Sequence, residues 1–312
     1  MRQYTSLTVL DIEFIFANYG INHISSFEVL SGGSENTNYL IDAKNNKYVL
    51  TIFEQKSEQK VRELAYLLEH LEKHNFETSK IIRTTNSEPT ILWQGKPIMI
   101  KEFIEGKTLK DLPHHIIELI GRELGKLHKI EAPEYLPKQI GYGKEQFVNV
   151  DKYAANSLFD IWLKEKLKYL SPYFSSSLPK ALIHSDVFCD NVIINEDESS
   201  VVIFDFEDSA YYYQVFDIGM MIIGICGEGE TVNFEKAKYL LKGYQKEIEL
   251  LAIELNALQA FTVYAGAAMT FWRHINFNYT KPDAKMANHY KGLQVLTDYV
   301  EKQPDDCFLK LI

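Results

Sequence analysis

The sequence predicts an α+β fold in two lobes, a small antiparallel-sheet lobe followed by a larger, mostly helical one. Three observations predict it. Between residues 24 and 104, short apolar runs alternate with glycine and asparagine turns. Past Gly106 the apolar spacing changes to threes and fours, the period of helices packed on one face. The chain has 312 residues and is 46% hydrophobic, enough for two ordinary domains or one large one. The division is expected at residues 1–104 and 105–312, and a cleft between two such lobes is a natural ligand site.

The elements are read in chain order. Residues 8–19 have helical periodicity, with Thr8 as N-cap. Strands at 27–30 and 38–41 flank Ser31-Gly32-Gly33-Ser34. Asn45-Asn46 is a hairpin turn signal ahead of a third strand at 48–53. Residues 59–74 form a helix with Val61, Leu64, Leu67, Leu68 and Leu71 on one face. Strands 90–93 and 97–103 pair across Gln94-Gly95-Lys96. In the second lobe, 115–129 and 150–170 read as helices. A hairpin follows at 192–195 and 201–204, and 213–300 is largely helical.

Composition narrows the function. Asp and Glu outnumber Lys and Arg by 43 to 33, a net charge of -10 that argues against nucleic acid and anionic membranes as partners. It suits a cationic or zwitterionic small molecule, and equally plain solubility. Cys189, Cys226 and Cys307 match no metal or CxxC spacing, and their odd number gives no disulfide framework. The N-terminus lacks a signal-peptide layout, and the longest apolar run, 218–226, is far short of a membrane span. A cytoplasmic protein is expected. Whether it is a monomer or a homodimer is left open.

The chemistry is concentrated in His184-Ser185-Asp186-Val187-Phe188-Cys189-Asp190-Asn191, with Asp205 beyond a hairpin. Phosphoryl transfer asks for a carboxylate to orient and deprotonate the acceptor hydroxyl, and for oxygen ligands that hold magnesium on the phosphates. Asp186 suits the first task, and Asn191 and Asp205 the second. His184 reads as a structural histidine that fixes the loop backbone. Asp190 reads as a cap or turn residue. Asp217 reads either as a helix N-cap or as a hydrogen-bond partner of the loop. Upstream, the glycine turn offers backbone N–H groups to phosphates through Gly32, Gly33, Ser34 and Asn36. The strand running to Gly106 offers backbone groups to adenine near Glu102 and Ile104, or is an ordinary edge strand.

Together these segments resemble the protein-kinase-like small-molecule kinases, a group that includes aminoglycoside phosphotransferases, choline kinases and type II bacterial homoserine kinases. The resemblance runs from about Ser31 to beyond Trp272. It is strongest toward homoserine kinase in Gly33-Ser34-Glu35-Asn36-Thr37-Asn38-Tyr39, in Tyr48-Val49-Leu50-Thr51-Ile52-Phe53-Glu54, and in the loop from His184 to Val192. It implies a two-lobed kinase fold, ATP and Mg²⁺, with Asp186 as base, Asn191 and Asp205 as metal ligands, and a small hydroxyl-bearing acceptor. Most of the group carries a lysine on the third strand, where this chain has Thr51 as the homoserine kinases do. Glu63 therefore lacks its usual partner. Asp205-Phe206-Glu207 is closer to the choline and ethanolamine kinases. Glu207, Tyr213 and Arg273 are the acceptor-side candidates, Arg273 because homoserine carries a carboxylate. Phosphorylation of homoserine is the expected activity. A choline, ethanolamine or aminoglycoside kinase is the alternative, and a non-catalytic pseudokinase the third.

Overall fold

A computed structural model describes residues 5–30 and 35–312, without the side chain of residue 305. The chain forms two compact units, Met1–Glu105 and Gly106–Ile312.

In the first unit, helix α1 (Val9–Ala17) is opened by a capping box. Asp11 N–H donates to Thr8 Oγ1, while Thr8 N–H donates to Asp11 Oδ2 at 2.8 Å. Its buried face, Ile12, Ile15 and Phe16, packs on a sheet made of β1 (Ile24–Val29), β2 (Thr37–Ala43), β3 (Asn46–Ile52), β4 (Ile81–Ile82), β5 (Ile91–Trp93) and β6 (Lys96–Glu102). The order is β1-β2-β3-β6-β4, with β5 also on β6, and every pairing is antiparallel. Strict alternation of burial along β2 puts Tyr39 and Ile41 in the core. The β2–β3 turn is Lys44-Asn45, both with positive φ, so Asn46 already belongs to β3. Helix α2 (Glu58–Lys73), capped by Ser57, buries Val61, Leu67, Leu68 and Leu71 with Ala65; Leu64 is only half-buried.

In the second unit, helix α3 (His114–His128) is followed by a 3-10 segment (Lys144–Lys152) and by α4 (Leu158–Leu170). The expected continuous helix over 150–170 is therefore broken. Asn156 takes φ +60, and Ser157 caps a fresh start by accepting from Asp160 N–H at 3.1 Å. Next come β7 (Lys180–Ile183), the hairpin β8 (Val192–Ile194) and β9 (Val201–Ile203), β10 (Ala210–Tyr213) and helix α5 (Gln214–Cys226). Strands β7 and β10 pair antiparallel across the whole catalytic-loop segment, a pairing that the sequence reading did not contain. A short hairpin, β11 (Gly227–Glu228) with β12 (Thr231–Val232), leads to α6 (Phe234–Tyr244), α7 (Ala252–Ile275), α8 (His289–Glu301) and α9 (Asp305–Leu309). Helix α7 is buried along most of its length, between α5 and α8. No helix among the described residues is long and apolar enough to cross a membrane.

Candidate active site

The β7–β10 pair and the β8–β9 hairpin set the site. Strand β7 ends at Ile183, opposite Ala210, so the chain leaving β7 and the chain entering β10 start from one place. In the hairpin, Val192 opposes Ile203, and Phe204 N–H donates to Asn191 O at 3.1 Å. Asn191 and Asp205 thus flank the open end of a two-strand ladder, with Asp186 on the loop leading into it.

That loop is fixed by buried groups. His184 is fully buried; its Nε2 lies 2.9 Å from Phe204 O, and its Nδ1 accepts from Asp186 N–H at 3.2 Å. Both contacts are satisfied by the neutral tautomer protonated on Nε2, and burial lowers the imidazole pKa in the same sense. His184 therefore works on the backbone, not as a proton carrier. Asp217 sits inside α5, whose N-cap is Tyr213, so it is not the cap. Its two carboxylate oxygens accept from His184 N–H and Ser185 N–H, each at 2.7 Å. His128 Nε2 adds a third contact at 3.2 Å, with His128 Nδ1 2.9 Å from the Tyr244 hydroxyl. Ser185 is held at φ +72, a region costly for a residue with a side chain. Tyr142 donates its hydroxyl to Ser185 O at 2.6 Å, and Ser185 Oγ donates to Asp208 O at 2.8 Å. Sequence reasoning missed Tyr142, His128 and Asp208. Tyr142 and His128 come from elements distant in the chain, and Asp208 from the turn just past Asp205; only the helical end position of His128 carried any signal.

Asp186 is partly enclosed and its neighbours are acidic. Burial raises its pKa well above the ordinary carboxylate value, and Asp208, Asp205 and Asp190 push the same way; the Arg273 guanidinium opposes them. Asn191 Nδ2 donates to Asp186 O at 2.8 Å and lies 3.2 Å from Asp186 Oδ2. This commits the amide nitrogen and leaves its oxygen as the donor a cation can use. Asp205 is exposed at φ +70, a conformation Asp tolerates better than most residues. No cluster of three or more His, Cys, Asp or Glu suited to a metal occurs among the described residues. One carboxylate and one amide oxygen are nonetheless a fitting donor set for a hard cation that keeps waters and phosphate oxygens in its shell.

Arg273, in the last turn of α7, has its guanidinium 5.6 Å from the centre of the Phe188 ring and within electrostatic reach of Asp186 and Asp190. Burial lowers its pKa while the two carboxylates raise it. Tyr213 is not brought to this group. Its ring neighbours are Tyr212, Phe174 and Phe261, with Lys180 Nζ 4.7 Å from the ring centre. Glu207 lies in the turn after Asp205, half-buried.

In the sheet unit, Gly32, Gly33 and Ser34 lie outside the described residues, and Asn36 directly precedes β2. Glu102 N–H is committed to Lys80 O at 2.8 Å, so it cannot serve a ligand, whereas no backbone hydrogen bond is described for Ile104. The side chain of Thr51 is buried, with its hydroxyl donated to Asn38 Oδ1 at 2.8 Å. Glu63 is occupied by Lys60 at 2.7 Å and Gln59 at 3.0 Å.

A sheet unit and a helical unit of this connectivity, with an H-x-D-x-x-x-x-N loop running into a hairpin that ends in Asp, define a phosphotransferase of protein-kinase-like fold. The chain belongs to the phosphotransferase enzyme family, whose model matches residues 26–249. It is 28% identical to homoserine kinase of Paramagnetospirillum magneticum over 300 residues, 91% of each chain. Against homoserine kinase of Zymomonas mobilis it is 25% identical over 333 residues, 100% of this chain and 96% of the relative. Among solved structures, a microcompartment-associated aminopropanol kinase superposes with a TM-score of 0.74 at 15% identity, covering 98% of this chain and 100% of that one. Spectinomycin phosphotransferase, in complex with ADP and spectinomycin, gives 0.72 at 16% identity, covering 96% and 100%. These structural likenesses establish the fold. The chain is thus a small-molecule kinase with an alcohol group as acceptor, and its family implies ATP with a divalent metal.

Proposed function

We propose that the protein phosphorylates the side-chain hydroxyl of L-homoserine, using Mg²⁺-ATP. The observation that carries the substrate is Arg273, in the last turn of α7, whose guanidinium lies 5.6 Å from the centre of the Phe188 ring on the loop that holds Asp186. An acceptor with a carboxylate gains a charge-assisted, two-pronged contact there, whereas choline would meet a like charge. The naming of the similar curated proteins as homoserine kinases supports the same choice.

In this reading Arg273 takes the acceptor carboxylate, and exposed Asp190 takes the ammonium group. Asp186 accepts the hydroxyl proton as the acceptor oxygen bonds to the γ-phosphorus and the bond from that phosphorus to the β,γ-bridging oxygen breaks, releasing ADP. Asn191 and Asp205 would hold magnesium through their side-chain oxygens, and the ion would supply positive charge to the phosphate oxygens. Backbone groups at Ile104 receive the adenine, and the segment of Gly32, Gly33, Ser34 and Asn36 covers the phosphates. The carboxylates around Asp186 also suit a purely cationic acceptor such as ethanolamine or an aminoglycoside, which keeps that alternative in the test.

The test is ADP release from Mg²⁺-ATP with L-homoserine, L-threonine, choline, ethanolamine and kanamycin, with Asp186→Asn as blank. Turnover with homoserine that the variant loses is the expected result. Turnover with choline or kanamycin instead overturns the substrate. If wild type binds no ATP, the kinase chemistry falls with it.

A further inference from the structure

We propose that Asn276 is a specificity-determining residue whose side-chain amide binds the acceptor carboxylate beside Arg273; the inference rests on the homoserine reading above.

Helix α7 ends at Ile275 and runs into a π-helical turn, Asn276–Thr280. Such turns are rare and recur at functional sites. Asn276 opens this one. Its backbone is used there: the N–H donates to Arg273 O and Trp272 O, and the carbonyl oxygen accepts from Lys281 N–H at 2.7 Å. Its side-chain nitrogen is not. Asn276 is 6% exposed, and its Nδ2 has no hydrogen-bond partner among the described residues. A buried amide nitrogen in that state is uncommon, because a donor taken out of water is costly unless an acceptor replaces the water. The turn itself is bridged by another amide. Asn278 Nδ2 donates to His274 O and to Ala287 O, each at 3.0 Å.

Position on the helix indicates what the Asn276 amide serves. At about 3.6 residues per turn, Asn276 lies about 60° around the axis from Arg273 and about 160° from His274. His274 faces the packed side, where its ring stacks on Phe159 at 3.6 Å and lies 4.7 Å from the Tyr290 ring. Asn276 is therefore on the Arg273 side. The Arg273 guanidinium lies over the Phe188 ring and makes no hydrogen bond or ion pair among the described residues. Two neighbouring donor groups, one charged and one neutral, suit a carboxylate, whose two oxygens offer about four lone-pair sites. Thr270 is the rival. It is buried, its Oγ1 also lacks a partner, and it too lies about 60° from Arg273. It leans the other way, however, to about 40° from His274 and its aromatic neighbours.

The experiment is steady-state ADP release by the full chain with Mg²⁺-ATP and two acceptors, L-homoserine and 3-aminopropanol, which is homoserine without its carboxylate. Asn276→Leu, close in size but without donors, should raise the KM for homoserine about tenfold or more, with kcat and the KM for ATP within twofold. Its kcat/KM for 3-aminopropanol should stay within twofold of the wild-type value. Asn276→Asp is nearly isosteric, sets a like charge against the carboxylate and should lose at least as much with homoserine. An unchanged KM for ATP also shows that the variants are folded. A homoserine KM within twofold of wild type, a loss shared equally by the two acceptors, or a tenfold rise in Thr270→Val in place of Asn276→Leu overturns the assignment and leaves the homoserine reading standing. Wild type inactive with homoserine overturns both.

Discussion

Gly224 is the position where the packing of α5 meets the catalytic loop. A Cβ added there would press into the Val187 carbonyl oxygen, inside the 3.0 Å that real Cβ atoms keep, and would lie 3.0 Å from Phe188 Cγ and 3.1 Å from Phe188 Cα. Two of these three atoms are main chain, so no rotamer change relieves the contact. Ordinary contact begins near 3.4 Å. Restoring it requires the loop beside Asp186 to move by about 1 Å, a misplacement that costs on the order of 10²-fold in rate. The local helix effect has the opposite sign, because Ala in a helix interior is favoured over Gly by about 1 kcal/mol. Gly224→Ala should therefore lose about 10²-fold in kcat while keeping a native circular dichroism spectrum. The assay is coupled ADP release at saturating ATP and acceptor, with thermal unfolding measured in parallel. A variant with wild-type kcat and a raised Tm would show that the loop does not rest on α5 in the working enzyme, and the argument would be refuted.

Three further outcomes are expected. Asp217→Asn replaces an acceptor oxygen with an amide NH₂ facing a backbone N–H, leaving a buried donor unsatisfied at about 1–3 kcal/mol; Tm and kcat should both fall, and an unchanged kcat counts against the loop-anchoring role. Asp186→Asn should abolish turnover yet stabilise the fold. Burial and the neighbouring carboxylates raise the folded pKa of Asp186 above 3.8, so wild type loses stability as pH rises from that value toward the folded pKa, and the Tm gap should open with rising pH and close near pH 4; a gap independent of pH would contradict this. Lys166→Met leaves Asp298 and Glu301 without their shared cation and should cost about 1–3 kcal/mol in urea unfolding, with kcat unchanged.

What the sequence made legible was local. Helix α1 was readable because Thr8 and Asp11 cap it within four residues, and the β5–β6 hairpin because Gln94 and Gly95 both take the positive φ of a tight turn. The loop from His184 to Asn191 was readable because its chemistry is packed into eight residues. The pairing of β7 with β10 was not, since its partners are about 30 residues apart and Tyr211-Tyr212-Tyr213 carries no alternation of polarity. Tyr213, an acceptor-side candidate in the sequence, packs its ring on Phe174 and Phe261. Helix α4 was misjudged at its start because apolar spacing continues through Asn156, where the backbone reverses sign. Thr51 could be recognised as a departure, but only the strand register shows its hydroxyl donated to Asn38, its partner across β2.

Function and stability oppose each other on this loop. Ser185 and Asp205 both hold positive φ, and Asp186 faces three further carboxylates, an arrangement the chain alone would relax. The framework that resists relaxation is neutral or already satisfied. His184 bonds through its neutral form, Tyr142 donates to Ser185 O, and the Asp217 charge is spent on two backbone donors and His128. None of these groups adds negative charge at the reacting end, so the carboxylates there are left for cations to balance, Arg273 from the protein and bound cations from solution. Such a site should be less stable empty than filled, because any cation that binds the folded loop and not the unfolded chain adds its binding free energy to stability. Millimolar Mg²⁺ with ADP should accordingly raise Tm in wild type, and Asp205→Asn should lose most of that increase. An equal increase in both would place the metal elsewhere.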